Sequence, residues 1–322
     1  MGPSESVLAA TVARRYYILG QAKKDIATDL GINRFKVARL LEAALTTGLV
    51  HIEISPVGGI DLDLSAQLQD RFGLARCVVV ARSGSSDADN GTELGTAAAA
   101  VVSEMLTAED VLGLPWSRSV LAMTTALREL PPVRVVQLSG AMEIPGINAS
   151  AVDIVREAAR ISGGQSVIFH APFILDDVAS AEALRRQASV MEGLQAITDV
   201  THAVVGLGVW SPTLSTVLDM TTAAEQEELS AAGVIGEIAG VFFDAHGRVI
   251  ESGVSERLLT LSGADLLAIS SVTAIVAGAK KGPAVTAAIC GGLIDGLITD
   301  APLAEAVLAT PHTDEVALPG GL

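Results

Sequence analysis

Apolar residues recur at helical spacing on two short stretches near the N-terminus. Ile26, Ala27 and Leu30 make one apolar face, Gly31 interrupts it, and Val37, Leu40 and Leu41 make the next. Two short helices around so tight a turn predict a helix-turn-helix. Gly31 suits a left-handed residue after the first helix, and Asn33 suits the N-cap of the second because its side-chain oxygen can take an orphan amide proton. Asn33, Arg34, Lys36 and Arg39 then fall at the start and on the outward side of the second helix, with Lys24 on the first, where a DNA reader offers side chains to base edges and phosphates. Asn33 serves as cap or as base contact. A packing helix over 7–19 precedes the pair, with Val12, Tyr16 and Leu19 facing it. Residues 49–54 alternate like a strand, either a wing or the exit from the head. Pro56-Val57-Gly58-Gly59 reads as a boundary, followed by an amphipathic helix over 61–72 carrying Leu62, Leu68 and Phe72.

From Cys77 onward short apolar runs alternate with helical patterns. Strands are predicted at 77–81, 111–114, 133–138, 166–169, 203–205, 241–243 and 273–277, and helices near 92–106, 118–129, 151–162, 180–196, 222–232 and 284–293. Alternation of this kind means right-handed crossovers and a largely parallel sheet covered on both faces. The fold class is α/β: a helical, winged helix-turn-helix head over 1–55, a mostly parallel α/β domain over 56–310, and a frayed tail over 311–322. Ligands of such sheets sit beyond the carboxyl ends of the strands. Gly-rich or polar loops follow five of the predicted strands, including Gly113 to Ser119, Ser139-Gly140, Gly206-Leu207-Gly208 and Gly278-Ala279-Lys280-Lys281-Gly282-Pro283. Free amides, a favourable dipole and a lysine before a helix N-terminus suit a phosphate.

A net charge of −16 over 322 residues looks wrong for a nucleic-acid binder until it is divided. Residues 1–55 hold seven Lys or Arg and five acids, a balance of +2, so the remainder carries −18. A mildly basic head approaches phosphate while an acidic body discourages indiscriminate binding. Such a weak head needs a dimer or tetramer to be useful. Half the residues are hydrophobic, yet charges interrupt every run before the roughly 18 residues of a membrane span. There is no leader pattern, and two cysteines, Cys77 and Cys290, make no disulfide framework and read as small buried hydrophobes, so the cytoplasm is the expected compartment. Five scattered histidines lack metal-ligand spacing.

Many collinear motifs resemble the SorC/DeoR-type sugar-responsive bacterial transcription regulators. In the head these are Asp25-Ile26-Ala27, Leu30-Gly31-Ile32, Lys36-Val37-Ala38-Arg39-Leu40-Leu41 and Gly48-Leu49-Val50. In the body they are Trp116-Ser117-Arg118-Ser119, Val136-Gln137-Leu138-Ser139-Gly140, Val205-Gly206-Leu207-Gly208, Gly236-Glu237-Ile238-Ala239-Gly240, Ala277-Gly278-Ala279-Lys280-Lys281 and Gly291-Gly292-Leu293-Ile294. The resemblance implies that 56–310 is a Rossmann-like effector-binding domain for a carbohydrate, a sugar, polyol or sugar phosphate, without any cofactor or metal, and that homodimers or homotetramers sit on double-stranded operator DNA. It also implies that Lys281, with Lys280 beside it, is the effector lysine, and that Gly113, Trp116, Ser117, Arg118, Ser119, Gln137, Gly140, Gly206, Gly208 and Glu237 lie on pocket loops. The family's first loop usually reads Gly-Trp-Gly-Arg-Thr; here Pro115 and Ser117 replace both glycines, and Glu237 stands where aspartate is common. Both departures point to an effector of different size or charge.

The implied mechanism is linkage, in which effector binding resets the spacing of two recognition helices relative to half-sites about 34–36 Å apart. The competing class is a sugar-phosphate isomerase-like or transferase-like enzyme in which Glu237 or Asp244 shuttles a proton near Lys281. A recognition helix would have no purpose there. Trp116 suits a sugar-stacking platform and an ordinary core position equally well.

Overall fold

The computed structural model describes residues 2–51, 59–81, 87–142, 147 and 149–310, with backbone alone at 87–90. The chain divides into two units, Met1–Ser55 and Pro56–Leu322. In the first, α1 (Pro3–Ala13) runs into a π-helical turn at Arg14–Ile18, and α2 (Lys23–Asp29) and α3 (Arg34–Thr46) follow. Gly31 joins the last two at φ +65°, in the region that favours glycine. Asn33 caps α3 by accepting the Lys36 amide at 2.7 Å. Ile26 and Ala27 from α2 meet Val37, Leu40, Leu41 and Ala44 from α3 and Ala9, Val12 and Ala13 from α1 in one small core. The first helix thus begins earlier than its apolar spacing suggested. Leu19, expected to face the core, is 59% exposed. The cause is the wider turn, closed by Leu19 N–H donating to Arg14 O, which rotates Leu19 outward before Gly20 (φ +64°). Residues 49–51 are not in a strand. The rest of the expected wing, most of the expected boundary and the tail 311–322 lie outside the described residues.

The second unit alternates strand and helix. Its first half contains α4 (Leu62–Phe72), β1 (Arg76–Val80), α5 (Asp87–Met105), β2 (Val111–Leu114), α6 (Arg118–Ala126), β3 (Arg134–Gln137), α7 (Ala151–Ser162) and β4 (Ser166–Val167). Then come α8 (Val178–Arg185), α9 (Ala188–Gln195), β5 (His202–Val205), β6 (Gly208–Val209), α10 (Ala223–Ala231), β7 (Gly236–Ile238), β8 (Val241–Phe243) and β9 (Val249–Ile250). It ends with α11 (Gly253–Arg257), α12 (Gly263–Ala268), β10 (Ser271–Val276), α13 (Gly282–Cys290), β11 (Gly296–Asp300) and α14 (Ala301–Ala309).

Seven strands form a sheet of order β1-β11-β10-β5-β2-β3-β4, every pair parallel. Successive side chains take opposite faces, so Val136, Val205, Ala274 and Val276 enter one core and Val135, Val204, Ile275 and Ile298 the other. The expected strand at 241–243 is real but lies elsewhere, in an antiparallel sheet β6-β7-β8-β9. Ala239 (φ +52°) and Gly240 (φ +88°) make the two-residue turn between β7 and β8, and a turn with both φ positive returns the chain antiparallel. Cys77 is buried, and burial pushes its thiol up to about 12. Cys290, expected inside, is exposed at the end of α13.

Candidate functional site

The strand order reverses between β2 and β5: β2 is followed in sequence by β3 on one side, while β5 leads through later elements to β10 on the other. The crevice at such a switch point is where open parallel sheets hold ligands. A cavity of about 570 Å³ opens there, lined by the segments leaving β2, β5 and β10, by residues 213–217 and by Glu237. Its size suits one small molecule.

Each charged group in the lining is placed by its element. Lys281 precedes α13, whose first turn carries Pro283, and its Nζ donates to Leu207 O at 2.8 Å. Burial pushes this amine below the usual lysine range; Glu237 opposes the shift, Arg118 adds to it, and Asp300 opposes it. Glu237 lies on β7, paired with Gly208 of β6. Its carboxylate accepts the Ser215 hydroxyl at 3.2 Å and the Gly240 amide at 3.1 Å. Burial nevertheless raises Glu237 above the usual carboxylate range, with the Gly240 and Ser215 bonds and the Lys281 charge pulling back. Arg118 is exposed at the start of α6 and lines the cavity. With Asp219, an exposed carboxyl also in the lining, the site joins two cationic groups to one buried and one exposed carboxyl, an arrangement suited to a hydroxylated or anionic small molecule.

The neutral residues divide. Ser117 caps α6 by accepting the Val120 amide at 3.0 Å, and the Ser119 hydroxyl donates to Ile275 O at 2.8 Å, tying α6 to β10. Trp116 is 4% exposed, lines the cavity with part of its surface and donates Nε1–H to Ala149 O at 2.7 Å, so it belongs to the core and to the wall together. Gly206 and Gly208 line the cavity, and neighbouring side chains leave neither room for a Cβ: Ser117 Oγ would sit 2.7 Å from one at 206, and Glu237 Oε1 would overlap one at 208.

Four expected effector residues lie outside the lining. Gly113 is inside β2, packed on Val200 and Leu138; Gly140 abuts the Pro172 carbonyl, 2.5 Å from where a Cβ would be. Gln137 is fully buried, donating to Ser139 O at 2.8 Å and accepting the Phe169 amide at 3.1 Å. Lys280 is exposed and is not among the residues that line the cavity. Conversely Ser215, Asp219, Met142 and Thr213 line the cavity unforeseen. Thr213 (φ +67°) and Ala239 are the described non-glycine residues with positive φ, and both are in the wall, as strained backbone near ligand sites often is. The polar run 211–216 behind Gly206 and Gly208 was the available signal.

In the head, Lys24, Asn33, Arg34 and Arg39 are exposed and Lys36 is half-buried. The Asn33 side chain is engaged as the cap. Among the described residues no cluster of His, Cys, Asp and Glu could hold a metal ion, and no helix is long and apolar enough to cross a membrane.

Comparison with known proteins fits this geometry. The sugar-binding domain family matches residues 59–309. Transcriptional regulator LsrR of Klebsiella pneumoniae is 31% identical over 313 residues, covering 95% of this chain and 94% of the relative. LsrR of Escherichia coli is 28% identical over 314 residues, covering 95% and 96%. Among solved structures, the full-length sorbitol operon regulator SorC from Klebsiella pneumoniae superimposes with a TM-score of 0.71 at 24% identity, covering 95% of this chain and 99% of that one. A DeoR family transcriptional regulator from Listeria monocytogenes gives 0.68 at 25%, covering 76% and 98%. An N-terminal helix-turn-helix and a sugar-binding domain that spans most of the remaining length assign this chain to the SorC/DeoR-type, sugar-responsive, DNA-binding transcription regulators rather than to the enzymes.

Proposed function

We propose that the cavity at the β2/β5 switch point holds a sugar, polyol or sugar phosphate, and that its occupancy sets operator affinity. The observation that carries this is the joining, in one cavity of about 570 Å³, of Lys281, Arg118 and the buried Glu237. Lys281 and Arg118 would face an anionic or hydroxyl end, and Glu237 a hydroxyl further in. Trp116, Ser117, Ser119, Gly206 and Gly208 shape the wall. Operator contact falls to Arg34, Lys36 and Arg39, helped by Lys24, with Asn33 as the cap of the reading helix. The working form is a cytoplasmic homodimer or homotetramer in which effector binding changes the spacing of two α3 helices. A coupling of about 1–3 kcal/mol would change operator affinity roughly 5- to 150-fold.

The test begins with thermal unfolding of the full chain against sugars, polyols and their phosphates. A compound that binds the native state raises the midpoint. In a mobility assay with duplexes from the region upstream of its own coding sequence, that compound should then change retardation. Lys281→Ala should blunt this response while effector-free retardation persists. Equal responses in variant and parent would remove Lys281 from the pocket. Absence of retardation, together with turnover of a sugar phosphate, would overturn the regulator mechanism.

A further inference from the structure

Phe35 stands apart from every other phenylalanine in the chain. Of six, Phe169, Phe173, Phe242 and Phe243 are at most 1% exposed and Phe72 is half-buried, whereas Phe35 is 81% exposed. Isolated exposed apolar residues are ordinary. Its position is not. Val37, Leu40, Leu41 and Ala44 form the buried stripe of α3 at the i, i+3, i+4, i+7 spacing. Phe35, Ala38, Arg39 and Glu42 repeat that spacing on the opposite side of the helix. Phe35 thus lies in the first turn of the outward stripe, between Arg34 and Lys36, and takes no part in the core of the head.

We infer that Phe35 is a specificity-determining residue that reads the C5-methyl group of a thymine in the major groove. This rests on the DNA-binding reading. The first turn of a recognition helix reaches the base edges. There an uncharged phenyl can accept no hydrogen bond from a base and give none to a phosphate, so the one base-edge feature it matches is the thymine methyl. Arg34 and Lys36 on either side supply the phosphate contacts that seat the helix, and Phe35 supplies sequence discrimination. A protein partner for the same phenyl is the competing occupant; the flanking cations and the placement on the outward stripe of α3 favour DNA.

The experiment uses the full chain and a duplex it selects from a pool of random 40-base-pair sequences. Each thymidine of that duplex is replaced in turn by deoxyuridine, which removes one methyl group and keeps the pairing. Parent protein should lose about fourfold in affinity at one position per half-site, the worth of one buried methyl-sized group. Phe35→Ala should bind the thymidine and deoxyuridine duplexes equally at that position, with an unchanged salt slope and unfolding midpoint. Phe35→Leu should restore part of the difference. Arg39→Ala, in contrast, should reduce the salt slope by about one. Parent binding indifferent to every thymine methyl, or a Phe35→Ala variant that retains the difference, overturns the assignment. So does dissociation of an oligomer by Phe35→Ala with no thymine effect. If no duplex is selected at all, the DNA-binding reading fails and takes this inference with it, whereas selection without thymine sensitivity overturns the role of Phe35 alone.

Discussion

Glu237 and Lys281 titrate in opposite senses, and the sign of each follows from burial. Glu237 is raised in the native state from its ordinary value of 4.5. Between that value and its native one the folded chain holds a proton that the unfolded chain has released, so stability falls as pH climbs through this window. Lys281 is lowered from 10.5, so the unfolded chain binds the extra proton below that value and stability rises with pH over the corresponding window. Glu237→Gln removes the first effect and keeps an oxygen to accept from Gly240. Its unfolding midpoint, measured from pH 4 to pH 8, should gain on the parent steadily above pH ~4.5 and lose that advantage below it. Parallel curves would mean that burial does not control this carboxyl. Single residues were also where sequence misled. Glycines behind strands look alike on paper, yet Gly140 is there because the Pro172 carbonyl leaves no space for a side chain. Gly140→Ala should therefore cost about 1–3 kcal/mol of stability, seen in denaturant unfolding, while the effector-induced thermal shift survives.

At the scale of elements, legibility followed burial and length. The strands β2, β3, β5 and β10 are runs of Val, Leu and Ile buried from both sides, and they stood out in the sequence. The two-residue strands β6 and β9 are too short to alternate, and β7 hides because it reads Gly-Glu-Ile with its carboxyl turned inward. The helix expected over 180–196 is two, and the sequence hides the break because nothing in Arg186-Gln187 is a strong breaker; the break is the extended backbone of Gln187 (φ −68°, ψ 131°). The helix-turn-helix was legible for the opposite reason: its signals are local, a glycine at φ +65° and an asparagine cap. That cap is separable from core packing. Asn33→Ala should cost about 1 kcal/mol and Leu40→Ala about 2–5 kcal/mol, both read as loss of helical signal from the N-terminal unit on heating.

The molecule as a whole joins in one chain a mildly basic head and a body carrying −18. Attraction to DNA is then confined to a few cations and should weaken steeply as salt rises, which retardation between 50 mM and 200 mM salt would show. Arg39 lies outside the lining of the effector cavity, so Arg39→Ala should weaken DNA binding and leave the effector-induced thermal shift, measured without DNA, intact. A shift lost together with DNA binding would place Arg39 in the fold of the head instead.

The Lys281 ammonium donates to the Leu207 carbonyl, a main-chain oxygen between β5 and β6. An anion entering the crevice would meet a cation already committed to the backbone. To recruit it fully, the newcomer would have to outbid that oxygen, and the link from Lys281 to the β5–β6 segment would slacken as the pocket filled. Arrival would then register as an internal tether exchanged for an external one, beyond the contacts it adds.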